Sequence, residues 1–147
     1  MIDATEAQKV LAKASLFAGL SNEALTSIAK IAQTKNYEEG DDVYKLGDPA
    51  SAVYVVVSGR VRFSLGVGNR ASPHSIMEAG ETFGWAALTG EEPRRVATAT
   101  CLEDTTVLSM EGTALTEYFD TDTASGYAVM RQLADRISRD LLSALTT

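Results

Sequence analysis

Phe83-Gly84-Trp85-Ala86-Ala87-Leu88-Thr89-Gly90-Glu91-Glu92-Pro93-Arg94-Arg95-Val96-Ala97-Thr98 is the stretch on which the reading of this chain turns. Its glycines, its short apolar run and the Val-Ala-Thr that follows predict a loop, a short helix and the start of a strand. A glycine at a helix start lets an anion approach backbone N–H groups that have no intrahelical partner, and the helix dipole adds favourable potential there. An arginine opposite would close such a seat with two parallel hydrogen bonds to anion oxygens. Arg95 is the candidate, and its purely structural alternative is a salt bridge to Glu81, Glu91 or Glu92. Arg94 takes the role if the register slips by one, and is otherwise a solvated surface residue.

Around this segment, short runs rich in Val, Tyr, Thr and Phe alternate with Gly, Asp, Asn and Pro. Strands are predicted at Lys35–Glu38, Asp42–Leu46, Val53–Val57, Arg60–Leu65, Ala71–Glu78, Arg95–Thr100 and Thr105–Met110. Turns fall at Glu39-Gly40, Gly47-Asp48-Pro49, Ser58-Gly59, Gly66-Val67-Gly68-Asn69 and Ala79-Gly80. Connections this short imply antiparallel pairing.

Helices flank the strands. Thr5–Ala14 is rich in good helix formers, and Ser21 is placed to cap a second amphipathic helix carrying Leu25, Ile28, Ala29 and Ala32. After the last strand, Glu111–Phe119 reads as a short helix and Ser125–Leu145 as a long one. The long helix sets Met130, Leu133, Ala134, Ile137, Leu141, Ala144 and Leu145 on one stripe. That stripe can pack on its own domain or on a second copy of the chain, and the pattern alone does not choose between them.

The fold expected is mainly β with flanking α: an antiparallel, jelly-roll-like β-roll with two N-terminal helices, a short cassette helix and a long C-terminal helix. One domain spans 1–147, divided into N-terminal helices (1–34), a roll (35–110) with the cassette at 83–98, and C-terminal helices (111–147).

Composition narrows the function. Thirteen basic against twenty acidic residues give a net charge of −7, which repels a phosphate backbone, so direct nucleic-acid binding is not expected. The longest apolar run, Ala52–Val57, is far short of the about 20 residues needed to cross a bilayer, so no membrane partner is expected. The N-terminus lacks a signal-peptide pattern, which makes the cytoplasm the default. The single cysteine, Cys101, forms no intrachain disulfide or cysteine-rich metal site and reads as a buried thiol. The single histidine, His74, argues against the histidine-rich metal site of roll-shaped cupin enzymes. With no G-x-S-x-G, H-E-x-x-H, Walker or C-x-x-C pattern either, no catalytic residues, metal or cofactor are expected.

The segment resembles the phosphate-binding cassette of the cyclic-nucleotide-binding domain family, which includes the bacterial catabolite activator and the regulatory subunits of cyclic-AMP-dependent kinase. That cassette has the form F-G-E-x-A-L, about six residues, then R-[S/T/A]-A-T, set between strands of a β-roll. Phe83, Gly84, Ala87, Leu88, Arg95, Ala97 and Thr98 fall on it, and Gly80-Glu81-x-Phe83-Gly84 resembles its entry. Upstream, Gly40, Gly47 and the A-x-x-Y-x-V-x-S-G-x-V run from Ala52 to Val61 match the family's glycines, strand and turn.

The resemblance implies a small anionic ligand, cyclic AMP or cyclic GMP in type, held by Phe83, Gly84, Trp85, Ala86, Ala87, Leu88, Arg95, Val96 and Ala97. It further implies signalling through the C-terminal helix to an unknown protein effector, and a homodimer through that helix stays one of the two outcomes its stripe allows. In the family's transcription factors the helix leads into a DNA-binding domain of on the order of 70 further residues.

Two positions depart from the pattern. Trp85 stands where the family carries a ribose-binding glutamate, and Val96 where a hydroxyl residue often touches the phosphate. A carboxylate accepting from a ribose hydroxyl contributes about ten- to a hundred-fold in affinity, and an indole cannot accept. Trp85 is left with two roles, an apolar anchor at the cassette or dimer seam, or a ring that stacks on a ligand or blocks the ribose pocket. The alternative function is a degenerate roll that binds no ligand and serves as a dimerisation or docking scaffold.

Overall fold

In sequence order, the chain first forms two short helices, α1 (Ala4–Lys13) and α2 (Asn22–Ile31), each started by the side chain before it. Asp3 Oδ1 accepts from the Glu6 amide at 2.8 Å, and Ser21 Oγ accepts from the Ala24 amide at 3.1 Å, the cap expected from the sequence. The computed structural model describes residues 2–64 and 76–146.

Among the described residues eight strands follow: β1 (Gln33–Tyr37), β2 (Asp42–Tyr44), β3 (Ala52–Ser58), β4 (Val61–Ser64), β5 (Ile76–Met77), β6 (Thr82–Phe83), β7 (Thr98–Cys101) and β8 (Thr105–Glu111). They build two four-stranded sheets, ordered β1-β8-β3-β6 and β2-β7-β4-β5, with every pairing antiparallel. Helices α3 (Gly112–Thr121) and α4 (Thr123–Thr146) close the chain. The expected fold class is the one observed.

The central strand β3 of the first sheet is buried on both faces over Ala52–Val56, which is why it reads as an almost unbroken apolar run. Alternation along it separates two cores. Val53 and Val55 face the helices with Leu108 and Met110 of β8, joined by Leu11, Phe17, Ile28 and Leu115. Ala52, Tyr54 and Val56 face the roll interior with Val61, Phe83, Ala99, Cys101 and Val107. Cys101 is buried and free, as expected.

Several expected boundaries shift, each for a local reason. β2 stops at Tyr44 because the Lys45 amide turns to the Asp48 carboxylate at 2.9 Å. The strand expected from Arg95 starts only at Thr98, since Arg95 pairs its backbone with the turn at Gly47 and Asp48 instead. Glu78 leaves the expected strand to accept a turn hydrogen bond from the Glu81 amide, and β6, which the sequence reading did not contain, follows. Leu65, residues 71–75 of the expected strand, the Gly66–Asn69 turn and His74 lie outside the described residues.

The stripe on α4 divides. Leu133 is buried against the helix-side core and Ile137 is partly buried there, with Val129 joining them, while Met130, Ala134, Leu141 and Leu145 are exposed. Helix 3 and helix 4 are joined at Asp122, which accepts from Tyr118 Oη and Ser125 Oγ at 2.7 Å each. These bonds hold the Asp122 carboxyl below its ordinary pKa.

Candidate functional site

Two loops set the position of Arg95. The turn at Gly47-Asp48-Pro49 is stitched to the end of the cassette by three backbone hydrogen bonds: Arg95 N to Asp48 O at 2.8 Å, Gly47 N to Arg95 O at 2.9 Å and Ala50 N to Pro93 O at 2.9 Å. With its backbone held at the rim, Arg95 sends its side chain inward and is only 3% exposed.

Inside, Nη1 donates to the Gly84 carbonyl at 2.9 Å and Nη2 to the Ala52 carbonyl at 2.6 Å. The guanidinium carbon lies 4.0 Å from the centroid of the Tyr44 ring and 5.7 Å from that of Tyr54, cation–π distances. Nε is buried with no partner. The alternative of a salt bridge does not describe this side chain: among the described residues no carboxylate lies within 4.0 Å of it, and Glu81 faces Arg136 at 3.8 Å. Arg95 is thus a buried cation held by two carbonyl dipoles and two tyrosines, with no carboxylate beside it among the described residues.

The wall around it is aromatic. Phe83 stacks on Tyr54 with centroids 5.1 Å apart, Phe63 meets Phe83 edge-on at 5.6 Å, and Tyr44 lies 6.0 Å from Tyr54. Burial pushes the Tyr44 phenol up to about 12, against the pull of the Arg95 cation, and Tyr54 is raised for the same reason. Burial is also the main cause that lifts Tyr37 to about 12. Sequence reasoning did not name Tyr44 as part of the site. Only the spacing of Tyr54 carried a signal, through its strand pattern.

Gly84 sits at φ +77°, a left-handed conformation that glycine adopts without strain. A Cβ there would stand 2.9 Å from the Tyr54 ring and 3.1 Å from both the Ala52 carbonyl and Arg95 Nη1. Absence of a side chain is thus what lets the guanidinium reach the Gly84 carbonyl. The next four residues, Trp85–Leu88, form a single 3₁₀ turn.

The remaining candidates part company. Phe83, Gly84 and Arg95 meet in the roll interior. Trp85, Ala87 and Leu88 instead pack against the helix-side core, and Ala86 is half-buried on the same turn. The indole therefore belongs to the helix layer and neither fills nor blocks the roll interior. Val96 is 65% exposed on the outside, and Ala97 is half-buried. The turn is also backed from behind: a Cβ on Gly112, at the start of α3, would come within 2.5 Å of the Ala87 carbonyl oxygen.

Comparison with known proteins agrees with this architecture. A curated relative, the CRP-like cAMP-activated global transcriptional regulator of Mycobacterium tuberculosis, is 26% identical over 136 residues, covering 89% of this chain and 58% of that protein. The chain thus spans less than two thirds of the length of that relative. Among solved structures, Thermus thermophilus catabolite activator protein superposes with a TM-score of 0.73 at 29% identity, covering 89% of this chain and 60% of the other. The sensor domain of the transcriptional regulator DNR from Pseudomonas aeruginosa superposes with a TM-score of 0.76 at 23% identity, over 94% and 93% of the two chains, a likeness of fold. Residues 34–122, the roll with its cassette and α3, match the family model described as the cyclic nucleotide-binding domain. The chain belongs to the cyclic nucleotide-binding domain family.

Proposed function

We propose that this chain is a regulatory, non-catalytic module that binds a cyclic nucleotide or a similar phosphate-bearing small molecule at Arg95. One observation carries the reading: Arg95 is only 3% exposed and has no carboxylate partner among the described residues. Retaining such a charge costs folding free energy, and an incoming anion offsets that cost by supplying the missing counter-charge. Binding would exchange the Gly84 and Ala52 carbonyls for anion oxygens. Since Gly84 begins the turn that touches α3 through Ala87, that exchange bears on the C-terminal helices, the two-state element a ligand shifts by differential affinity.

Titration calorimetry with cyclic AMP and cyclic GMP tests the reading. Saturable heat that Arg95→Met removes is expected. No heat at millimolar nucleotide would sink it. With Trp85 turned to the helix layer, no indole competes for the ribose and no carboxylate holds it, so affinity about ten- to a hundred-fold below that of a glutamate-bearing cassette is expected.

Signalling through α4 is proposed to involve a second copy of the chain. Met130, Ala134 and Leu141 fall at heptad positions and are exposed, and Leu145 is 75% exposed one turn further on. Sedimentation should show a dimer that the paired changes Leu141→Asp and Leu145→Asp convert to a monomer. Cytoplasmic residence accords with the relatives, and among the described residues no helix is long and apolar enough to cross a membrane.

A second reading rests on the same side chain. The carbonyls of Gly84 and Ala52 already take two of the guanidinium's donors and Tyr44 covers its face, so the roll interior is closed by its own groups. A scaffold that binds nothing would look like this, and calorimetry separates the two.

A further inference from the structure

A groove of about 500 Å³ lies on the helix side of β6, between α4 and the Ser15-Leu16 corner, with the cassette's Trp85 in its wall. It is distinct from the Arg95 seat. Paired residues on neighbouring antiparallel strands share a face, and Thr82 pairs with Val55, which faces the helices, whereas Phe83 pairs with Tyr54, which faces the roll.

Three features of the groove point to a ligand. Thr82 is 3% exposed, lines the groove, and its hydroxyl has no hydrogen-bond partner, although its backbone amide donates to Ser15 Oγ at 3.2 Å. A buried hydroxyl left unpaired costs free energy that a ligand hydrogen bond recovers. The walls include Trp85, Tyr127 and Leu16, flat and apolar surface for a planar body.

The lining also carries three arginines against one carboxylate, on a chain of net charge −7. Arg139 is spent on Asp135 at 2.7 Å, and Arg136 is shared between Asp140 at 3.5 Å and Glu81 at 3.8 Å. Arg131 forms no ion pair among the described residues; its Nη1 donates to Tyr127 Oη at 3.3 Å. It is the cation left for an anionic group. The volume falls within the roughly 300–1,000 Å³ range of small-molecule sites.

We propose that this groove binds a small planar organic anion, an aromatic carboxylate in type, with the ring against Trp85 and Tyr127, the anionic group on Arg131 and a polar atom on the Thr82 hydroxyl. Because Trp85 sits on the cassette turn and Arg131 on α4, such a ligand bridges the two elements. It is a second input, independent of the Arg95 seat.

The test uses the full chain with 2-naphthoate and its neutral counterpart 2-naphthamide, read by titration calorimetry and by the indole N–H resonance of Trp85, the chain's single tryptophan. Naphthoate is expected to bind saturably with one site per chain, at least tenfold tighter than the amide. Arg131→Gln should erase that preference. Thr82→Val should weaken naphthoate several-fold without lowering the melting temperature, an outcome that loss of folding cannot mimic. Arg95→Met should leave naphthoate binding intact even where it abolishes nucleotide binding, so failure of either site is seen separately. Equal binding of acid and amide, no saturation at millimolar acid, loss of binding in the Arg95 variant, or competition between naphthoate and self-association that identifies a second copy as the occupant would each overturn the proposal.

Discussion

Thr82 and Phe83 are adjacent on one strand, yet they face layers built on opposite principles. Around the helix-side core the chain packs Leu11, Phe17, Ile28, Leu108, Met110 and Leu115, all nearly free of solvent and none carrying a side-chain polar group that needs a partner, apart from weakly accepting sulfur. On the roll side it buries Phe83 among tyrosines and a charged arginine. The first layer contributes stability through area and packing. The second gives up some of that stability by placing a cation and three phenols in a largely apolar space. Of the three buried side-chain atoms without a partner among the described residues, two occur where the layers approach each other near β6, Arg95 Nε on one face and Thr82 Oγ1 on the other, and the third is Arg62 Nε on β4.

This contrast is open to direct challenge by substitution, monitored by urea denaturation. Leu115→Ala, at a fully buried position of the helix-side core, should cost about 2–5 kcal/mol. Gly84→Ala should cost roughly 2–3 kcal/mol, from the left-handed backbone and the close Tyr54 and Ala52 contacts. Arg95→Met removes an expensive buried charge but orphans two carbonyls; these oppose each other, so the net should stay within about 2 kcal/mol of zero while anion binding is lost. A loss as large as that from Leu115→Ala would mean that Arg95 is a structural keystone, and the contrast between the layers would fail. Thr82→Val should raise stability by about 1 kcal/mol, because it deletes an unpaired hydroxyl at nearly constant shape.

The smallest effect at neutral pH, and the one specific to the roll interior, is alkaline. Tyr37 and Tyr44 have folded pKa values of about 12 against an ordinary 10.0. The folded state therefore holds these protons longer than the unfolded state. Below pH 10 both states are protonated and nothing changes; above it the unfolded state releases protons first, so stability should fall steadily as the pH rises toward 12. Phenolate absorbance that follows unfolding and does not precede it would check this, and Tyr44→Phe should flatten the slope.

The cassette was readable because its cues are local. Gly84, Ala87-Leu88 and the arginine at fixed distance are chain-neighbour relations, and positive φ at Gly84 is a property of the residue itself. The Ser21 cap and the strand at Val53–Val57 were legible for the same reason. By contrast, Trp85 has two available faces within a four-residue turn, and its choice of the helix layer depends on α3 and α4 lying behind that turn. The two-residue strand β6 was missed because it has no periodicity of its own; it exists through pairing with β3. The stripe on α4 was seen as one surface, but the domain it meets reaches only as far as Ile137.

By itself, then, the sequence determined the roll and its flanking helices, since these follow from periodicity and turn chemistry along the chain, and its motif residues carried the resemblance to the family. Tertiary structure alone decided that Arg95 turns inward onto the Gly84 and Ala52 carbonyls and the Tyr44 ring, with no carboxylate among the described residues to meet it. The physical reason is that the counterpart of a buried charge is whatever distant segments bring to it: here Ala52 lies 43 positions away, and no local rule of sequence specifies that approach.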